Sequence, residues 1–182
     1  MLEVIHRHVP VLEAFLLGSG AVGGFDPRTS DIDLVVVVEH PLETERAAVV
    51  EQLAALETPA RDLELVVYVE GSQPPSFELN LNEGVERPSA EPFWFVLDAA
   101  LAQERAVPVW GRRRWQEFFA PIGPERARAA TKESLEWAER QPPDDGFARL
   151  HAARARHYLA HGDWVTKAQI AFPVQPCAKR RD

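Results

Sequence analysis

Three apolar segments in the first half of the chain have the length and composition of β-strands. They cover residues 11–17, 34–38 and 63–69. The second segment is a leucine followed by four valines, which predicts a central strand covered on both faces. Pro41 begins a helical pattern that continues to about Leu56 and separates the second strand from the third. The order strand, helix, strand predicts an α/β sheet with a crossover connection.

The second half of the chain has mainly helical periodicity. Residues 71–92 are polar and rich in Pro, Gly and Asn, so we expect mostly loop there. Residues 108–111 predict a short strand or turn, and a change in composition near residue 106 predicts two domains, 1–105 and 106–182. The last stretch, 172–182, contains two prolines and a basic run and predicts a frayed tail. Further helices are predicted at 2–8, 93–104, 112–119, 124–140 and 147–160.

Composition restricts the functional classes. The 182 residues are 46% hydrophobic and 26% charged, which is typical of a globular protein. A single cysteine, Cys177, excludes a disulfide within the chain and a Cys-rich zinc site. The pattern shows no signal peptide and no apolar run that could span a bilayer, so we expect a cytoplasmic protein without membrane contact. The net charge of −8 disfavours nucleic acid and favours metal ions or a cationic small molecule, unless it serves solubility alone.

A glycine-serine pair and two aspartates form the first candidate site. Gly18-Ser19 follows the first strand, and after eleven intervening residues Asp31-Ile32-Asp33 opens the second. Side chains alternate along a strand, so Asp31 and Asp33 should project on the same side. Two such carboxylates repel each other unless a divalent cation lies between them, and hard oxygen ligands suit Mg²⁺. We assign Asp31 and Asp33 to the metal, and Gly18, Ser19 and Ser30 to a nucleotide.

A third carboxylate is needed if two metal ions assist phosphoryl transfer. Glu64 lies among apolar neighbours in the third predicted strand, where a carboxylate is unfavourable unless it is paired or bound to metal. It could ligate the metal, or it could be the general base that takes a proton from an acceptor hydroxyl. Asp62 lies on the same face and is the alternative, although it is nearer the end of the strand.

These residues resemble a known family. The segment LGSGAVGGFDPRTSDIDL, residues 17–34, is similar to the aminoglycoside 3″/9 adenylyltransferases, the streptomycin and spectinomycin resistance enzymes of the superfamily that includes DNA polymerase beta. The resemblance extends to residues 2–8 and to 63–67, where the family places its catalytic glutamate, and this chain has one extra residue in its loop. It implies an α/β (α+β) fold, in which a polymerase-beta-like mixed sheet with helices precedes a small C-terminal helical domain.

The helical half also resembles this family. Arg154, Gly162 and Lys167 fall at the family's spacing, which implies that Arg154 and Lys167 bind nucleotide phosphates. It also implies that Asp144 contacts the aminoglycoside. Arg154 could equally be a solvated surface residue, and either Asp144 or Asp145 could be the N-cap of the following helix.

Three departures separate this chain from the family. Arg140 stands where the family has a second acidic residue, and residues 78–84 contain no equivalent of the family's drug-packing tryptophan. Fifteen residues follow Lys167, where the family has several further helices. We therefore expect a shortened helical domain. Apolar residues there would then lack partners and favour a homo-oligomer; they are Trp164, Val165, Ile170 and Phe172.

The expected activity is Mg²⁺-dependent transfer of AMP from ATP to a hydroxyl group, with release of pyrophosphate. Glu64 activates the acceptor, a small polycationic or hydroxylated molecule of the aminoglycoside type. Glu78 and Asp144 are the candidate acceptor-binding residues, in an acidic wall that includes Glu83 and Glu86. Two alternatives remain: a nucleotidyltransferase that modifies protein or RNA in a toxin–antitoxin-like module, and a non-catalytic nucleotide-binding relative.

Overall fold

The computed structural model describes residues 1–171, and the predicted tail at 172–182, with Cys177, lies outside the described residues. The chain divides into two compact units, Met1–Gly123 and the residues from Pro124 onward. None of the helices in residues 1–171 has the length and apolar character needed to cross a membrane.

The described residues form one six-stranded mixed sheet in the order β5-β4-β3-β2-β1-β6. The strands β2 and β3 are parallel and the other neighbours are antiparallel. The strands are β1 (Val11–Leu16), β2 (Ile32–Val38), β3 (Leu63–Val69), β4 (Leu79–Asn82), β5 (Val85–Glu86) and β6 (Val107–Trp110). The α-helices are α1 (Leu2–His6), α2 (Gly18–Val22), α3 (Arg46–Ala54), α4 (Pro92–Arg105), α5 (Pro124–Glu139), α6 (Gly146–His161) and α7 (Lys167–Ala171).

The first three predicted strands are confirmed as β1, β2 and β3. Leucines and valines of these strands pack on one side of the sheet against α1 and α3, where Ile5 and Val49 are fully buried. The opposite side carries aromatic residues: the Phe15 ring lies 5.4 Å from that of Trp115, and the Tyr68 ring lies 5.1 Å from that of Phe119. Both faces are therefore covered, as the valine-rich β2 predicts.

The boundary between the units lies later than the predicted one near residue 106. The strand β6 pairs with β1 at the edge of the sheet, and Trp115 and Phe119 are buried on the aromatic side. These contacts bring residues 107–123 into the first unit. Composition alone did not reveal them, because pairing across about a hundred residues leaves no local signal.

Residues 71–92 are mostly loop and turn, as predicted, but they also contain a hairpin of β4 and β5 that was not predicted. Leucine and asparagine alternate along β4, and Leu79 and Leu81 are fully buried. The two residues between the strands, Glu83 and Gly84, both have positive φ, of 53° and 68°. Positive φ at both positions is the backbone of a two-residue type I′ turn, which matches the twist of antiparallel strands.

Two helix predictions need correction. The helix expected from Pro41 begins only at Arg46, after a 3-10 turn at Glu43–Glu45, and the φ of 44° at Glu43 is not one that an α-helix adopts. The helix expected at 112–119 is only a 3-10 turn, Trp115–Glu117. The backbone N–H of Arg113 donates to the buried Glu13 carboxylate at 3.1 Å, which holds the preceding segment in a non-helical path.

The second unit is helical, as predicted. The helices α5 and α6 pack through small side chains, among them Ala138 and Ala152. Asp145 is the N-cap of α6, since its Oδ1 accepts a hydrogen bond from the Ala148 N–H at 2.9 Å. Trp164 does not lack a partner as expected, because its ring stacks on that of Tyr158 with centroids 3.8 Å apart. Phe172 lies outside the described residues.

Candidate functional site

Two carboxylates lie side by side on neighbouring parallel strands. Asp33 of β2 is the register partner of Glu64 of β3, and Asn82 of β4 is the partner of Glu64 on its other side. The Asn82 amide donates a hydrogen bond to Oε1 of Glu64 at 3.2 Å. These three side chains form a row on the side of the sheet opposite α1 and α3, because the leucines adjacent to them in the strands point to the core on the other side.

The electrostatic environment of Glu64 is unusual for a carboxyl group. The pKa of Glu64 is raised to about 8, first by burial, then by the negative charges of Asp33, Asp98 and Asp31, and last by a hydrogen bond with Asp33. The protonated form is favoured because ionisation would place a further negative charge in a partly desolvated acidic cluster. This group can therefore hold a proton near neutral pH and release it when a positive charge approaches.

Gly18 makes a close backbone approach to Asp33. The Leu17 N–H donates to the Asp33 carbonyl at 2.9 Å, and the next residue, Gly18, has a φ of 55°. A Cβ atom on Gly18 would lie 1.8 Å from the Asp33 carboxylate oxygen Oδ2, so no other residue fits without a shift. Ser19 follows in the one-turn helix α2, which packs against β2. The predicted Gly-Ser turn is thus helical and lies beside the aspartate.

The other aspartate of the motif is held by an arginine. Asp31 immediately precedes β2, and its Oδ1 and Oδ2 accept hydrogen bonds from Arg61 Nε and Nη2 at 2.9 and 2.6 Å. Arg61 stands two residues before β3. Ser30 closes the preceding loop, because its hydroxyl accepts from the Asp26 N–H at 3.1 Å and its carbonyl accepts from the Arg61 N–H at 3.0 Å.

The donor chemistry of Asp31, Asp33 and Glu64 fits Mg²⁺, since all three side chains offer carboxylate oxygens. Their mutual repulsion, seen in the raised pKa of Glu64, is what a bound cation would relieve. Across residues 1–171, however, no three His, Cys, Asp or Glu side chains converge closely enough to hold a metal ion. Asp31 faces Arg61 instead. Asp62, the alternative third carboxylate, accepts a hydrogen bond from the Leu63 N–H at 2.7 Å.

The remaining predicted site residues lie elsewhere. Arg154 and Lys167 belong to the second unit, where Arg154 Nε donates to the Val165 carbonyl at 2.8 Å and Lys167 is exposed at the start of α7. Asp144 is exposed just before the N-cap of α6. Their predicted roles in nucleotide and acceptor binding stay predictions.

The predicted acidic wall in the first unit is neutralised by arginines. Glu78 Oε1 accepts from Arg46 Nη1 at 3.2 Å and from the Leu42 N–H at 3.1 Å. Glu86 accepts from Arg46 Nε at 2.8 Å, and Glu83 lies 3.8 Å from Arg87. Glu78 thus helps to anchor the segment before α3 to the sheet, which is a structural role that the sequence pattern did not indicate.

Sequence reasoning missed three residues that shape the site. Asn82 was hidden in a segment predicted as loop, although the Leu-Asn-Leu-Asn alternation was a strand signal. Asp98 is the one acidic residue within an apolar stretch of α4, and its charge raises the pKa of both Glu64 and Tyr68. Arg61 gave no signal, because an arginine before a strand is usually a solvated surface residue.

Comparison with known proteins agrees with this geometry. Residues 1–82 match the family model described as a nucleotidyltransferase domain, a range that includes Gly18, Asp31, Asp33, Glu64 and Asn82. The chain also resembles the crystal structure of spectinomycin adenyltransferase AAD(9) from Enterococcus faecialis, with a TM-score of 0.77 and 19% sequence identity. That match covers 93% of this chain and 77% of the other. The predicted nucleotidyltransferase fold is confirmed.

Proposed function

We propose that this protein transfers AMP from ATP to a hydroxyl group of a small aminoglycoside-like acceptor, with release of pyrophosphate. The observation that carries the proposal is the row of Asp33, Glu64 and Asn82, with the Gly18 backbone against Asp33 in a nucleotidyltransferase domain. The structural neighbour was crystallised with ATP and spectinomycin, which supports ATP and a small hydroxylated acceptor. The net charge of −8 favours an acceptor that carries positive charge.

Glu64 is the proposed general base. Its carboxylate accepts the proton of the acceptor hydroxyl as the hydroxyl oxygen bonds to the α-phosphorus of ATP and the bond to the bridging oxygen of pyrophosphate breaks. Asn82 holds Oε1 of Glu64 in place at 3.2 Å, which limits rotation of the carboxylate about its terminal torsion. A pKa raised to about 8 makes Glu64 a stronger base than an ordinary glutamate, provided that positive charge nearby allows it to lose its own proton.

Asp31 and Asp33 are the residues that would hold Mg²⁺, with Glu64 as the further ligand if it does not act only as the base. When bound, the ion neutralises phosphate oxygens and orients the triphosphate. The exposed backbone of Gly18 and the hydroxyl of Ser19 are suited to a phosphate group at the same edge of the sheet. Arg154, Lys167 and Ser30 are proposed to contact the nucleotide, and Asp144 and Glu78 the acceptor.

The test is a transfer assay with ATP, Mg²⁺ and a panel that includes spectinomycin and streptomycin. Pyrophosphate release should depend on the acceptor, and mass spectrometry should detect the adenylylated acceptor. Glu64→Gln should keep ATP binding and slow transfer by roughly 10²–10⁴-fold. Binding of ATP without transfer to any acceptor would favour the non-catalytic alternative, and label on protein or RNA would favour the toxin–antitoxin alternative.

The cellular setting and assembly follow as part of the same proposal. An ATP-dependent enzyme of this kind acts in the cytoplasm, where ATP is available. A homo-oligomer remains a proposal that sedimentation at several protein concentrations can test.

A further inference from the structure

The carboxylate cluster contains a positively charged side chain, that of Arg61. The Arg61 guanidinium contacts both oxygens of Asp31, with Nε 2.9 Å from Oδ1 and Nη2 2.6 Å from Oδ2. The Asp31 side chain is 13% exposed and that of Arg61 is 59% exposed. The Arg61 side chain therefore lies on the solvent side of the Asp31 carboxylate.

The backbone places this pair at the entrance of the two parallel strands. The Arg61 N–H donates to the Ser30 carbonyl at 3.0 Å, and the Ile32 N–H donates to the Asp62 carbonyl at 2.9 Å. These two hydrogen bonds lie on either side of Asp31. They continue the pairing of β2 with β3 to the residues just before the first register pair, Ile32 and Leu63. Arg61 and Asp31 thus face each other because the strands are in register, not through a chance surface encounter.

Three acidic residues act on the Arg61 guanidinium. Its pKa is raised by the hydrogen bond with Asp31 first, then by the charge of Asp31, with smaller contributions from Glu64 and Asp62. The guanidinium therefore offsets the repulsion within the cluster, as a bound metal ion also would.

We infer that Arg61 is a positioning residue that competes with a divalent cation for Asp31. It holds the Asp31 carboxylate in the metal-free protein and is displaced when the ion binds. A cation that binds either Asp31 oxygen is repelled by the positive charge of Arg61. The cation and the guanidinium therefore weaken each other's interaction with the Asp31 carboxylate. This inference rests on the proposed function, because it takes Asp31 to be a metal ligand.

The test compares Mn²⁺ binding to the full chain and to Arg61→Gln, measured by electron paramagnetic resonance of free Mn²⁺ and by calorimetry. Removal of the competitor should raise Mn²⁺ affinity by about two- to fivefold, which corresponds to the strength of a partly exposed ion pair. The same variant should melt at a lower temperature in EDTA and show a larger upward shift on addition of Mn²⁺. The substituted side chain is mostly exposed, so the variant should fold.

The chain offers a matched control. Arg28 binds Asp26 through the same pair of bonds, Nε to Oδ1 at 3.2 Å and Nη2 to Oδ2 at 3.0 Å, but Asp26 is not part of the cluster. Arg28→Gln should leave Mn²⁺ affinity unchanged. Asp33→Asn should abolish binding, which identifies the site.

The outcomes separate this inference from the proposed function. Tighter Mn²⁺ binding by Arg61→Gln alone supports competition. Equal affinity in Arg61→Gln and the unaltered chain, with binding lost in Asp33→Asn, overturns the role of Arg61 and leaves the metal site intact. Absence of binding in every protein overturns both.

Discussion

Substitution of Glu64 by Gln should stabilise this protein, and the gain should depend on pH. The pKa of Glu64 is about 8 in the folded chain, against an ordinary value of 4.5. The folded chain therefore keeps a proton that the unfolded chain has lost over this interval. The stability from that proton is fully present below pH 4.5 and is lost as the pH rises toward 8. Glutamine has nearly the same shape and never ionises, so the variant escapes this loss.

The magnitude follows from proton linkage. Each pH unit between 4.5 and about 8 lowers the unfolding free energy of the unaltered chain by at most about 1.4 kcal/mol relative to the variant. Across the interval the limit is about 5 kcal/mol. Glu64 is only half-buried, so solvent and salt reduce this value, and we expect roughly 2–3 kcal/mol in favour of Glu64→Gln at pH 9.

The assay is denaturant unfolding at pH 5, 7 and 9, followed by tryptophan fluorescence, with EDTA present to exclude metal ions. A ¹³C-detected titration of the Glu64 carboxyl measures its pKa directly. The control is Glu51→Gln, the same substitution at an exposed position on α3, which should change stability little at any pH. If the difference between Glu64→Gln and the unaltered chain is the same at pH 5 and pH 9, the acidic cluster does not act on Glu64 as described.

Three further substitutions test the contacts around the site, each by thermal or denaturant unfolding. Gly18→Ala places a Cβ 1.8 Å from the Asp33 carboxylate and should cost more stability than the control Gly23→Ala. At Gly23 φ is also positive, at 83°, but nothing lies within 4 Å of the added Cβ, so only backbone strain of about 1–3 kcal/mol remains. Equal losses in the two variants would contradict the close approach of Gly18 to Asp33. Glu13→Ala removes the buried acceptor of the Arg113 N–H and should lower the unfolding free energy by about 1–3 kcal/mol. Glu70→Ala removes an exposed partner of the same arginine and should lower it by less than about 1 kcal/mol. Asp145→Ala removes the N-cap of α6 and should cost about 1 kcal/mol, while Asp144→Ala should cost almost nothing; the reverse order would place the cap on Asp144.

Local pattern alone determined the framework of the site. The valine run of β2 and the alternation in β3 are short-range signals, because strand burial depends on a period of two that can be read within one segment. The same period placed Asp33 at the start of β2 and Glu64 early in β3, and their pairing followed once the two strands were parallel and adjacent. Most helices were predicted for the same reason, since their periodicity is also local.

Contacts between distant segments decided the rest. Arg61 and Asp31 are separated by 30 positions, and Glu13 and Arg113 by 100, so neither pair has a local signature. The first pair gives Asp31, an expected metal ligand, an arginine partner that the sequence pattern did not indicate. The second keeps residues 112–114 out of a helix and ties them to the sheet. The charge of Asp98 likewise raises the pKa of Glu64 only in the folded chain, where α4 brings Asp98 near β3. The reason is that Coulomb interactions depend on distance in space and not on separation along the chain.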